Sequence, residues 1–169
     1  MQPEELSAIW DYYKPRHTHA WNMLVLAFNQ LREQEPIGEP FEAEYAWENI
    51  ILRLWLYRTV VKTLTKLHPV KQEAENTLRS FDKAFDHNGI NGLKALRDMI
   101  EHFDDYAADH GRGPVTRAGD LDPWRTITRD EYDRGQFMLS REKALLAADE
   151  MRANAKQVSD QFIEWYHSQ

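Results

Sequence analysis

Residues 141–166, REKALLAADEMRANAKQVSDQFIEWY, decide the fold. Leu145, Ala148, Met151, Ala155, Val158, Phe162 and Trp165 recur in this stretch at intervals of three and four, the rhythm of one helix face turned towards a core. Charged and polar residues fill the positions between them. Ser140 stands just ahead, where its hydroxyl can accept from a backbone N–H of the first turn that has no partner within the helix. A helix of about seven turns with one apolar stripe needs other helices to cover that stripe.

The same rhythm appears upstream. Residues 4–35 carry Trp21, Leu24, Phe28 and Leu31 at helical spacing, and Pro15 is expected to kink or split this helix, because proline lacks an N–H and crowds the preceding turn. PIGEP follows as a loop. Residues 41–67 predict a second helix with Ile51, Leu54, Trp55, Arg58, Val61, Leu64 and Leu67 on one side, stopped by Pro69. Residues 70–85 predict a third, with Val70, Ala74, Leu78, Phe81 and Phe85, ended by His87-Asn88-Gly89. A fourth, from 91 to about 111, carries Leu93, Leu96, Ile100, Phe103 and Ala107. Between it and the last helix the pattern changes, and 124–128 and 136–139 predict two short strands around a polar turn. The expected fold is all-α: a four- to five-helix bundle, one domain over residues 1–169, with a small β-hairpin before the last helix.

Composition narrows the function classes. Of 169 residues 42% are hydrophobic and 12% aromatic, enough to build a core without cross-links. Cysteine is absent, which excludes disulfides, thiol catalysis and cysteine-based metal clusters. The acidic N-terminus does not read as a secretory leader, and Arg53 and Arg58 interrupt the most apolar run, so the expectation is a cytoplasmic protein with no membrane partner. A net charge of −7 argues against tight, lasting nucleic-acid binding and less against an enzyme that meets RNA transiently in one cleft.

One constellation carries chemistry: ALRDMIEHFDDY, residues 95–106, in the fourth helix. An arginine followed by a polar residue, with a histidine five positions after the arginine, resembles the signature of the HEPN superfamily. These are all-α bundles, usually dimeric, many of them metal-independent endoribonucleases of defence and toxin–antitoxin systems. The resemblance is sharp over about a dozen residues and architectural elsewhere. It implies that His102 exchanges protons with the ribose 2′-hydroxyl or the leaving oxygen. It also implies that Arg97 stabilises charge on the phosphorane, that Asp98 orients one of them, and that two protomers share a cleft. It implies no cofactor and no metal, a homodimer and a transient RNA substrate, and it leaves room for an inhibitory protein partner. The residue types suit that chemistry independently: histidine titrates near neutral pH, and arginine offers a permanent planar fork to phosphate oxygens. Some toxins of the superfamily carry a tyrosine two residues after the histidine; here that position is Asp104, and the nearest tyrosine is Tyr106.

Beside this stands a plainer reading, in which Arg97–Glu101 and Asp98–His102 are i,i+4 pairs on the surface of a non-catalytic interaction or regulatory bundle. Arg112 and Arg117, just past the candidate site, are candidate RNA contacts, and Arg125, Arg129 and Arg134 make a second local positive cluster. Asp104-Asp105, His17-x-His19 and Glu164-x-x-His167 have metal-ligand chemistry but lack a complete ligand set, and they read as surface features. No phosphate-binding glycine loop or dinucleotide fingerprint is present.

Overall fold

Helix α1 (Pro3–Glu33) opens the computed structural model, which describes residues 3–33, 40–85, 90–102, 127–133 and 138–169. Glu4 and Glu5 sit in its first turn and Arg32 in its last, each opposing the partial charge of that helix end. Leu6, Tyr13, Ala20, Trp21, Leu24, Ala27, Phe28 and Leu31 are buried along one face. Of the two outcomes expected at Pro15, a kink or a split, the split does not occur: α1 is continuous through it. The N–H that proline lacks would have bonded the Asp11 carbonyl, and both residues are exposed, so water can satisfy that oxygen. Core contacts of Tyr13 on one side and of Ala20 and Trp21 on the other hold both halves in place.

Helix α2 (Pro40–Val61) runs antiparallel to α1, with Tyr57 opposite His17 and Asn49 opposite Gln30. Trp47, Ile50, Ile51, Leu54, Tyr57 and Val61 are almost fully buried, each side chain worth on the order of 1.5–3 kcal/mol of apolar transfer. The expected helix over 41–67 ends six residues early, at Val61. Lys62–Lys66 tighten into a 3₁₀ turn, Leu67 is extended, and His68–Val70 form a second short turn around Pro69. Val60, Val61, Thr63 and Thr65 are β-branched and weak helix formers, and the Thr65 hydroxyl donates to the Lys62 carbonyl at 2.8 Å. Leu64 and Leu67 are buried all the same.

Helix α3 (Lys71–Ala84) buries Ala74, Leu78 and Phe81 beside Val70, and helix α4 (Ile90–Glu101) buries Leu93, Ala95, Leu96 and Met99. The part of the predicted fourth helix beyond His102, with Phe103 and Ala107, lies outside the described residues. Strands β1 (Glu131–Asp133) and β2 (Met138–Ser140) pair antiparallel with Tyr132 opposite Leu139, so the hairpin precedes the last helix as expected. Its first strand is Glu131–Asp133; of the expected 124–128 only Ile127 and Thr128 are among the described residues, and neither lies in a strand. The Thr128 hydroxyl accepts from the backbone N–H groups of Asp130 and Glu131 at 3.2 and 3.1 Å, a side-chain turn that takes the chain out of extended pairing there.

Helix α5 (Arg141–His167) is capped by Ser140, whose Oγ accepts from the Lys143 N–H at 3.5 Å. Ala144, Ala147, Ala148, Met151, Ala155, Val158 and Phe162 form its buried face. Leu145, expected in that stripe, is exposed, as is Leu146, because alanines fill the contact and the leucines turn outward. In the assembled bundle α1 lies on α2, α4 packs against α2, and α3 lies along α5. Among the described residues no helix is long and apolar enough to cross a membrane.

Candidate functional site

The last turn of α4 holds the motif. Positions 97 and 102 of an ideal helix point roughly 140° apart, and positions 98 and 102 share a face. Asp98 is the one buried ionised side chain among the described residues, with its side chain 7% exposed. Two cations neutralise it: Lys94, one turn earlier, and the neighbouring Arg97. The Arg97 side chain wraps around the helix, with one terminal nitrogen on Asp98 and the other 3.3 Å from Glu101. The guanidinium is thereby turned towards the side of the final turn where residues 98, 101 and 102 project.

Arg97 also lies over the indole of Trp55 in α2, 5.0 Å from the ring centroid. Its Nε is buried and finds no hydrogen-bond acceptor among the described residues. Arg58 approaches the same indole, at 5.5 Å, while its guanidinium grips Asp82 of α3 through two bonds of 2.7 Å. His102 is half-buried at the helix end, where its backbone N–H donates to the Asp98 carbonyl at 2.9 Å. The expected Asp98–His102 side-chain pair is replaced, since the Asp98 carboxylate serves Lys94 and Arg97; the expected Arg97–Glu101 pair is present.

A second polar cluster sits between α1, α2 and α5. His17 Nε2 lies 2.8 Å from the Tyr57 hydroxyl, and the His17 ring rests between the rings of Tyr13 and Tyr57 at 5.1 and 5.4 Å. Burial, with the Arg152 charge nearby, lowers the His17 pKa to about 4. Desolvation likewise pushes both tyrosine hydroxyls well above their ordinary range. His17 is therefore no surface feature. The clue lay in the spacing, since Tyr13, His17, Ala20 and Leu24 follow one another at four, three and four along the core face. His19, two positions on, is exposed, so the two histidines do not converge.

The remaining candidates separate. Glu164 and His167 are both exposed. Arg129 contacts Asp130 at 3.7 Å. Arg112, Arg117, Asp104, Asp105, Arg125 and Arg134 lie outside the described residues. Among the described residues no group of three His, Asp or Glu side chains converges as a metal set. Compared with known proteins, the chain matches no family model, no curated protein and no solved structure.

Proposed function

We propose that this protein is a metal-independent endoribonuclease of the HEPN type, acting in a defence or toxin–antitoxin setting, with Arg97, Asp98 and His102 as its site. The reading rests on the resemblance of the motif, and one observation of the site carries it further. Arg97 wraps towards the final turn of α4 and keeps its Nε donor buried, with no acceptor among the described residues. An unsatisfied donor of a charged group is costly, and a phosphate oxygen would relieve it with a charge-assisted bond once the guanidinium lifts from Trp55 far enough to admit one. In this mechanism His102 takes the proton of the ribose 2′-hydroxyl or gives one to the departing 5′-oxygen. The hydroxyl oxygen attacks the adjacent phosphorus, the 5′-oxygen leaves, and a 2′,3′-cyclic phosphate end results. Arg97 holds the charge that accumulates on the phosphorane, and the buried Asp98 fixes Arg97.

A specific observation favours a second reading, a non-catalytic interaction or regulatory bundle. Both terminal nitrogens of Arg97 already face carboxylates, which a phosphate would have to displace or share. Incubating a mixed RNA pool with the purified protein in EDTA separates the two. The ribonuclease reading expects cleavage to cyclic-phosphate ends that falls by at least about 100-fold in His102→Ala and in Arg97→Ala. Equal cleavage by parent and variants assigns the activity to a contaminant or to a different site, and no cleavage by the parent at any concentration transfers the assignment to the interaction protein.

A further inference from the structure

Away from α4, an open cleft of about 610 Å³ lies between the first turns of α1 and the 3₁₀ turn that ends α2. Its size suits a ligand of nucleotide dimensions. Lys62 and Lys66 line it, four positions apart, and neither ammonium pairs with a carboxylate among the described residues. Lys14, Lys71, Lys94 and Lys156 reach an acidic partner, whereas Lys83 and Lys143, like Lys62 and Lys66, have none among the described residues. On a chain of net charge −7, what sets Lys62 and Lys66 apart is that they share one concave surface whose lining holds no carboxylate. Their position at the end of α2 complements its dipole, but a dipole asks for no cleft. A third cation borders the site: the Arg16 guanidinium sits 3.6 Å above the ring of Tyr12, which lines the cleft and is half exposed.

The hydroxyls divide by role. Thr59 and Thr65 spend their protons on the carbonyls of Trp55 and Lys62, at 2.9 and 2.8 Å, so towards a ligand they offer only acceptor oxygens. Thr63 forms no such bond among the described residues and keeps a proton to donate. The cleft thus presents two ammonium groups and one hydroxyl to an oxyanion, and acceptors to a ligand's own hydroxyls. Ile9 and the Tyr12 ring supply an apolar wall for a planar base. We infer that this cleft binds a nucleotide phosphate with its sugar, the phosphate on Lys62, Lys66 and Thr63 and the sugar hydroxyls towards Thr59 and Thr65. The inference is independent of the ribonuclease assignment, since it shares no residue with the α4 site.

The test is an NMR titration of the ¹⁵N-labelled protein with adenosine 5′-monophosphate, with inorganic phosphate, and with an eight-nucleotide oligouridylate. Amide shifts confined to residues 8–12 and 59–66, and a dissociation constant raised at least about tenfold in Lys62→Gln/Lys66→Gln, are expected. Lys62→Arg/Lys66→Arg should retain binding, and unchanged resonances elsewhere certify that the variants are folded. Saturation by the mononucleotide identifies a free nucleotide as the ligand, and response to the oligonucleotide alone identifies a nucleotide unit of RNA; both support the site. Silence of these residues with every probe, binding undiminished in the double glutamine variant, or phosphate binding that the nucleoside does not strengthen would overturn it.

Discussion

His17 shows how one side chain can connect the fold to pH. Its ring is held neutral by burial, facing Tyr13 and Tyr57 on its neighbours, with Arg152 and, through Tyr57, Asp149 as the charges of α5 around it. A histidine whose folded pKa lies near 4 against about 6.5 unfolded takes up its proton more readily in the unfolded chain. The stability it contributes is therefore complete above about pH 6.5 and is lost as the pH falls towards 4. With solvent screening of the half-buried ring, the loss should be on the order of 2 kcal/mol. Urea unfolding at pH 7 and pH 4.5 measures it, and His17→Gln should flatten the difference between the two. Tyr57→Phe, which strips the ring of its hydrogen-bond partner, should cost about 1–2 kcal/mol at pH 7. At the α4 site the same scale yields a kinetic expectation. Glu101→Gln frees one edge of Arg97, so if the ribonuclease assignment holds, cleavage should rise several-fold; a fall would show that Glu101 itself helps to place the arginine.

At the scale of elements, Trp47 ties α2 to the hairpin. Its indole N–H donates to the Thr128 carbonyl at 2.6 Å, and its ring meets that of Tyr132 at 6.0 Å. Asp130 completes the joint by accepting from the Arg141 backbone and guanidinium at 2.9 and 2.8 Å. Trp47→Phe keeps much of the apolar contact but orphans that carbonyl, so a loss of about 1–3 kcal/mol is expected, with faster proteolysis near the hairpin than elsewhere. The stripe of α3 is legible in the sequence because Val70, Ala74, Leu78 and Phe81 are its dominant apolar residues and lie on one face. In α5 the face is blurred, since Leu145 and Leu146 compete with Ala144, Ala147 and Ala148, and apolarity alone cannot tell a close alanine contact from a leucine ridge. The early end of α2 and the shifted first strand both turn on threonine hydroxyls binding local backbone, a choice that hydrophobic periodicity does not record. At the α4 motif the residue types were legible. Arg97 lying on Trp55, some forty positions earlier in the chain, was not, because that contact exists only once α2 and α4 are packed.

For the molecule as a whole, α5 is the element that closes the bundle. It lies along α3, its side chains reach the His17 cluster, and Phe162 meets Trp10 of α1 at 5.3 Å while Trp165 meets His68 at 5.5 Å. Phe162→Ala should therefore cost about 3–5 kcal/mol and lower the unfolding midpoint of α1 and α5 together, with tryptophan fluorescence and helical circular dichroism still changing in one transition. The contact between Trp10 and Phe162 has a further consequence in time. Its two partners lie about 150 residues apart, so a ribosome elongating at roughly 5–20 residues per second makes the first ring some 8–30 seconds before the second. Throughout that interval the nascent chain displays the aromatic face of its first helix without its cover. Chaperones that grip exposed rings have their opening then, and a pause in translation ahead of residue 162 would lengthen it.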